Sequence, residues 1–349
     1  MPGRDIIVLG ASAGGVEVLR QVVKELPSDL PAAVFVVLHL PSNATSVLPS
    51  ILSRAGGPPA HHAEDWEAIE PGKIYVARPD CHLLIKRGHL RVVRGPKENS
   101  SRPAIDPTLR TAARYYGRRV IGVVLSGTLD DGTAGLLAIK TRGGVAIVQD
   151  PDDALYGGMP RSAIENVEID HILPASEIGP LLASIVNEPV EWEGDETVSD
   201  DMEKEIDVAE FDLDAMKDND RPGIPSRYTC PECHGVLFEI DEKGLLRFRC
   251  RVGHAYTAET LLSEQSEALE AALWAALRSL EENVALALRM ARRMRERGNT
   301  RSAERFQENA DDLEQRVELI RNVLLTQKAT ERPQSGQEVS LQSLDSAEQ

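Results

Sequence analysis

The chain has 349 residues, of which 42% are hydrophobic, 27% charged and 4% aromatic. That apolar content sustains a buried core and excludes a wholly unfolded chain, and at ~100–200 residues per domain the length calls for two or three domains. The net charge of −17 opposes a general affinity for nucleic-acid phosphates, and no apolar run approaches the ~18 residues that cross a bilayer.

The amino terminus, MPGRDIIVLGASAGG, has one arginine and a short apolar stretch interrupted by glycines, so it does not read as a signal peptide. A cytoplasmic location is the expectation. In that reducing setting Cys81, Cys230, Cys233 and Cys250 point to metal binding or catalysis rather than disulfides, with Cys81 alone in the front half as a packed thiol.

The first predicted element is a strand, Ile6 to Leu9, that meets Gly10 at once. After the glycines, Val16, Leu19, Val22, Val23 and Leu26 recur at helical spacing. Val34 to Leu38 reads as a second buried strand, ended by His39 and Pro41. Short segments at Lys73 to Ala77, Leu83 to Lys86 and Leu90 to Val93 suggest a local antiparallel excursion. Val120 to Leu125, Val145 to Val148 and Ile169 to Leu173 complete the set. Fully apolar strands alternating with helices indicate an α/β class with a mostly parallel, doubly wound sheet.

Ligands of such sheets sit beyond the carboxyl ends of the strands. The first strand delivers Gly10-Ala11-Ser12-Ala13-Gly14, which fits the nucleophile-elbow pattern G-x-S-x-G. The second delivers His39. The strand Val120 to Leu125 delivers Ser126-Gly127-Thr128-Leu129-Asp130-Asp131-Gly132. Each member also has a plainer reading: Ser12 as a helix cap, His39 as a hydrogen-bonded structural histidine, Asp131 as a turn or cap aspartate, with Asp130 a rival for any acidic role. A phosphate-binding turn is disfavoured, because the spacing fits neither G-x-G-x-x-G nor G-x-x-x-x-G-K-[ST]. A serine, a histidine and an aspartate at three strand ends form the set needed for nucleophilic acyl transfer.

These segments resemble a family. IIVLGASAGG (6–15), Val36 to Pro41, and GVVLSGTLDDGTAG (122–135) are similar to the catalytic domain of bacterial chemotaxis protein-glutamate methylesterases. Glu70 to Ala77, Asp80 to Leu83, Arg102 to Asp106 and YGGMPRSAI (156–164) agree in the same order, so the likeness runs from about residue 4 to 187. The resemblance implies Ser12 as nucleophile, His39 as base and Asp131 as its orienting acid. It implies an acyl-enzyme route, with no cofactor, acting on methylated glutamates, and on glutamines by deamidation, in the cytoplasmic helices of chemoreceptors. The family usually has Thr where Ala13 stands and Gly-Met-Gly where Gly127-Thr128-Leu129 stands. The methionine's backbone N–H is assigned there to the oxyanion hole, a role the Thr128 N–H inherits. Family members also typically carry an N-terminal receiver domain. Ser12 lies too near the start for one, so another control or none is expected. A serine hydrolase of the same fold with another ester or amide substrate, and a non-catalytic signalling adaptor, are the competing readings.

Residues 191–220 carry fourteen Asp and Glu against Lys204 and Lys217. So acidic and apolar-poor a block reads as an unfolded tether or a docking peptide for a basic partner. Cys230-Pro-Glu-Cys233 and Cys250-Arg-Val-Gly-His254 then flank a predicted hairpin, Val236 to Ile240 and Leu245 to Arg249, turning at Lys243-Gly244. This is the layout of a zinc ribbon with a structural Zn²⁺ on Cys230, Cys233, Cys250 and His254, with His234 as a rival fourth ligand. Leu269, Leu273, Ala276, Leu280, Val284, Ala287, Ala291 and Met294 step by three and four. The run breaks at Gly298-Asn299 and resumes from Ala303 to Leu324, a helical hairpin or coiled coil. Its stripe suits internal packing or a homodimer. The expected organisation is a catalytic domain (1–187), acidic linker (188–225), zinc ribbon (226–257), helical hairpin (258–327) and disordered tail (328–349).

Overall fold

The structure, a computed structural model, describes residues 3–43, 45–190, 200–209 and 222–330. Backbone contacts divide the chain into two units, residues 1–264 and 265–349.

In the first unit seven strands form a parallel sheet in the order β3-β4-β2-β1-β7-β8-β9. These are β1 (Ile6–Ala11), β2 (Ala33–Leu38), β3 (Ala60–His62), β4 (Ile74–Val76), β7 (Val120–Val124), β8 (Val145–Gln149) and β9 (His171–Leu173). The central strands β1, β2 and β7 are buried at every residue. Side chains alternate between faces, so Ile6 and Val8 join one apolar core while Ile7 and Leu9 join the other. Both faces are covered, on one side by α1 (Gly15–Lys24) and α6 (Ala175–Ile185), on the other by α3 (Ile105–Tyr116) and α4 (Thr133–Thr141). Two further helices of this unit are α2 (Leu48–Ser53) and α5 (Gly158–Asn166). The doubly wound α/β class therefore holds.

One part of the expected topology changes. Lys73 to Ala77 does not belong to an antiparallel excursion: Ile74 to Val76 pairs in parallel with both β2 and β3. The excursion is the hairpin β5 (His82–Lys86) and β6 (His89–Val93) alone. All three short segments are apolar, and which partner each takes is decided by tertiary contacts that periodicity does not report.

The expected unfolded tether over 188–225 also fails in part. Residues Asp200–Ala209 form a helix, α7, in which Glu205, Ile206 and Val208 are buried. Local composition condemned this block, but arginines elsewhere in the fold receive its carboxylates: Arg247 and Arg249 take Glu205, and Arg114 takes Glu203 and Asp207. The rest of the tether, 191–199 and 210–221, and the tail from 331 onward lie outside the described residues.

A four-stranded antiparallel sheet follows, β10 (Ile224–Thr229), β11 (Val236–Glu242), β12 (Leu245–Cys250) and β13 (Ala255–Thr257). Lys243 and Gly244 turn the hairpin with φ of 53° and 89°, the two left-handed residues of a tight turn. This small sheet belongs to the same compact unit as the parallel sheet. The second unit is the helical hairpin, containing most of α8 (Ala258–Glu296) and all of α9 (Thr300–Thr330). Gly298 at φ 73° ends the first helix, and the Asn299 side chain accepts from Ser302 N–H at the start of the second. Leu277, Val317 and Leu324 form its buried seam, and Arg321 pairs with Glu281 across it. No described helix is long and apolar enough to cross a membrane.

Candidate functional site

The strand order reverses at β1, which lies between β2 and β7. The crevice beyond the carboxyl ends of these strands is the usual ligand position of the architecture. Ser12 follows β1, His39 follows β2 and Asp131 lies in the loop after β7. His39 Nδ1 stands 3.1 Å from Ser12 Oγ, and His39 Nε2 stands 2.7 Å from Asp131 Oδ2. The structure thus brings these three sequence-selected residues into one hydrogen-bonded chain. Asp131 is buried and the His39 side chain keeps 17% of its surface exposed, at the edge of a cleft of about 320 Å³ shared with Pro41, Lys97, Ser101 and Arg102.

The turn at Ser12 is held by backbone and by a second serine. Ser12 N–H donates to Ser126 O at 2.9 Å, and His39 N–H to Ala11 O at 3.2 Å. Ser126 Oγ donates to Ala13 O at 2.8 Å and accepts from Tyr156 N–H at 3.0 Å. Ser126 is therefore engaged in shaping the turn, while the Ser12 hydroxyl faces the imidazole. Gly14 turns the chain into α1 at φ 74°, and a Cβ there would stand 2.9 Å from Ser126 Oγ. Thr128, selected for its backbone N–H, lies exposed beside Gly127, whose own Cβ position is 2.9 Å from Ser12 Cβ. Among the described residues neither Ala13 N–H nor Thr128 N–H donates to a protein acceptor.

The two aspartates face different partners. Asp130 Oδ1 accepts from Thr260 Oγ1 at 2.5 Å and takes no part in the His39 chain. Asp131 sits at the amino end of α3. Its Oδ2 accepts from Ile105 N–H at 2.7 Å and its Oδ1 from Asp106 N–H at 3.2 Å. A helix amino terminus favours negative charge there. Burial alone pushes the Asp131 carboxyl up, but the His39 bond and charge, the Ile105 amide and Asn99 hold it below the ordinary carboxylate range.

Two further residues were not singled out for a role in the sequence. Asn99 Nδ2 donates to Asp131 Oδ1 and to Asp106 Oδ2, both at 3.0 Å. Asp106 Oδ1 in turn accepts from Gly132 N–H and Gly135 N–H, tying the Asp131 loop to α4. Burial, and then the Asp131 charge, push the Asp106 carboxyl up. No local motif marks Asn99, since its partners lie 7 and 32 residues away. For Asp106 the only signal was its place in the segment Arg102 to Asp106.

In the small sheet, Cys230, Cys233, Cys250 and His254 place one ligand atom each within 4.8 Å of one another. The group takes His254 and not His234. Cys81 is half-buried in the parallel-sheet domain and outside this group.

The model of the CheB methylesterase family matches residues 7–182. A protein-glutamate methylesterase/protein-glutamine glutaminase of Pyrococcus abyssi is 36% identical over 182 residues, 51% of this chain and 50% of its own length. A putative protein of the same name from Leptospira interrogans is 37% identical over 178 residues, 51% of this chain and 92% of its own length. The crystal structure of the Thermotoga maritima CheB methylesterase catalytic domain, 36% identical, superposes with a TM-score of 0.51 over 53% of this chain and all of that one. The chain spans about half the length of the Pyrococcus relative, and the small sheet and helical hairpin lie beyond the matched region. Over the parallel-sheet domain that carries Ser12, His39 and Asp131, this chain belongs to the CheB methylesterase family.

Proposed function

We propose that the protein is a cytoplasmic serine hydrolase that removes methyl esters from glutamate side chains of chemoreceptor helices, and ammonia from glutamines there, through a Ser12–His39–Asp131 triad. One observation carries the reading: the unbroken hydrogen-bonded chain from a serine hydroxyl through an imidazole to a buried carboxylate, at the edge of an open cleft. The similar proteins, protein-glutamate methylesterase/protein-glutamine glutaminases, suggest the substrate class.

The chemistry follows from the arrangement. Asp131, held as the carboxylate, takes the Nε2–H of His39 and leaves Nδ1 free to accept the Ser12 proton. Ser12 Oγ attacks the ester carbonyl, and negative charge gathers on the former carbonyl oxygen. Thr128 N–H and Ala13 N–H, which have no protein acceptor among the described residues, are the donors for it; one such donor contributes about 3–4 kcal/mol in other acyl-transfer enzymes. The imidazolium returns its proton to the departing methoxide, giving methanol. Water, deprotonated by His39, then cleaves the acyl-serine to glutamate and free Ser12. Asp131 stabilises the imidazolium at each step and fixes its tautomer. The mechanism requires no metal at the serine.

The test is methanol release from a carboxymethylated receptor fragment. Wild-type protein is expected to release it and Ser12→Ala to fall to the uncatalysed level with an unchanged circular dichroism spectrum. Equal release by the two proteins would end the proposal.

A further inference from the structure

Three of the six separations among the Cys230, Cys233, Cys250 and His254 ligand atoms match the edges of a coordination tetrahedron, and all six lie within 4.8 Å. With Zn–S near 2.3 Å and Zn–N near 2.0 Å, a tetrahedral site has S–S edges of about 3.8 Å and S–N edges of about 3.5 Å. Cys233 Sγ to Cys250 Sγ is 3.6 Å, Cys230 Sγ to His254 Nδ1 is 3.6 Å, and Cys250 Sγ to His254 Nδ1 is 3.5 Å. Two tight turns bring the pairs together. His234 N–H donates to Cys230 O with His234 at φ 58°, and Gly253 N–H donates to Cys250 O with Gly253 at φ 110°. Three thiolates and an imidazole suit a borderline-soft divalent cation rather than Mg²⁺ or Ca²⁺. The apolar cluster around them, Leu237, Phe248, Tyr256 and Leu261, is too small to fold a sheet of this size unaided.

The other nitrogen of His254 faces a carboxylate that reaches the parallel-sheet domain. His254 Nε2 lies 3.5 Å from Glu232 Oε2, and Glu232 Oε1 accepts from Lys97 Nζ at 2.7 Å. A carboxylate behind a ligating histidine is the usual orienting partner. Two residues beyond Lys97 stands Asn99. Its backbone N–H donates to Ala255 O at 2.9 Å, and its Oδ1 accepts from Thr257 N–H at 3.1 Å. Strand β13, directly after His254, thereby grips the residue whose Nδ2 holds Asp131. The close approach is absolute at Gly253, where a Cβ would stand 2.8 Å from Pro96 Cγ.

We propose that Cys230, Cys233, Cys250 and His254 bind Zn²⁺ and that the bound ion, by ordering β13 against Asn99, holds Asp131 in line with His39. The second half rests on the proposed hydrolase reading. Asn99 is then a positioning residue, acting on Ser12 chemistry only through Asp131. The ribbon becomes a metal-dependent part of the site.

The experiment uses the full chain, loaded with Zn²⁺ or stripped by a chelator, with three readouts. Elemental analysis is expected to give one zinc per chain, and Co²⁺ in its place a visible tetrahedral-thiolate spectrum; Cys250→Ser loses both. Hydrogen exchange is expected to rise at least tenfold on stripping in peptides covering 97–106 and 129–132, and to recover when Zn²⁺ returns. Phosphonylation of Ser12 by a fluorophosphonate is expected to slow at least tenfold in parallel. Equal metal content in wild type and Cys250→Ser overturns the metal site. Unchanged exchange at 97–106 and 129–132 overturns the coupling, as does a rise spread equally over β1, β2 and β7, since the ion would then support the whole fold. If Ser12 is inert with Zn²⁺ present, the hydrolase reading fails, and with it the claim that the ion tunes Ser12, while exchange still reads the grip on Asn99.

Discussion

Asp130 and Asp131 are adjacent in the chain yet serve opposite sides of their loop: Asp131 Oδ2 meets His39 at 2.7 Å, and Asp130 Oδ1 meets Thr260 at 2.5 Å. The pair separates imidazole orientation from docking of the first turn of α8. Asp131→Asn turns an acceptor into a donor at His39 Nε2 and selects the wrong tautomer, so kcat is expected to fall about 10³–10⁴-fold with the fold intact. Asp130→Asn is expected to show a far smaller loss, through Thr260. Comparable losses in the two variants would mean that the His39 contact is not the one that matters.

The loop after β7 approaches Ser12 too closely for a side chain. A Cβ at Gly127 would stand 2.0 Å from Met159 Sδ and 2.9 Å from Ser12 Cβ. Met159 is fully buried and Ser12 is pinned through Ser126 O, so neither yields freely. Gly127→Ala is expected to cost about 1–3 kcal/mol of stability. A displacement of even ~1 Å at Ser12 slows fluorophosphonate labelling about 100-fold. Urea unfolding and labelling rates measured side by side check both; wild-type labelling in a destabilised variant would contradict the argument.

Leu129, in the loop between β7 and α4, is held at φ 60°. A leucine held in the left-handed region carries strain of roughly 1 kcal/mol or more. Leu129→Gly removes that strain but frees the unfolded chain, and these effects differ in sign. The expected outcome is a stability equal to wild type or up to about 1 kcal/mol higher. A loss beyond 1 kcal/mol in denaturant titration would show that the leucine side chain supplies packing that exceeds the strain.

The strand ends were legible because burial on both sheet faces leaves a run such as Val34 to Leu38 wholly apolar, and its last residue must face the crevice. Ser12 and His39 could be read from that rule together with the glycines, whereas the choice of Asp131 over Asp130 came only from the family resemblance. Asn99 could not be read, because its significance lies in three acceptor and donor partners distant in sequence: Asp106, Asp131 and Thr257. The same limit explains α7. Charge density argued against order there, yet Glu205 is only 1% exposed because Arg247 and Arg249 arrive from a strand more than forty residues away. Composition counts charges and is blind to which of them the fold will neutralise.

That buried network sets the acid response of the protein. Glu98 pairs with Arg110 at 2.6 Å and with Arg249 at 3.0 Å, joining the parallel-sheet domain to the ribbon. Burial pushes the Glu98 carboxyl up, but the charges of Arg110 and Arg249 overcome it and bring the pKa down from 4.5 to about 2. Glu205 is lowered for the same reason, by Arg247 and Arg249 against its burial. A carboxylate depressed in the folded state contributes stability above its unfolded pKa and loses it as pH falls toward the folded one. The melting temperature is therefore expected to fall between pH 4.5 and pH 2, beyond the decline contributed by exposed carboxylates. Glu98→Gln leaves two buried arginines short of a partner and is expected to cost about 3–5 kcal/mol at neutral pH. Because its stabilisation is already absent, the variant declines less steeply in acid. Melting curves at pH 7, 4.5 and 3 decide the matter, and parallel slopes for wild type and variant would remove Glu98 from the account.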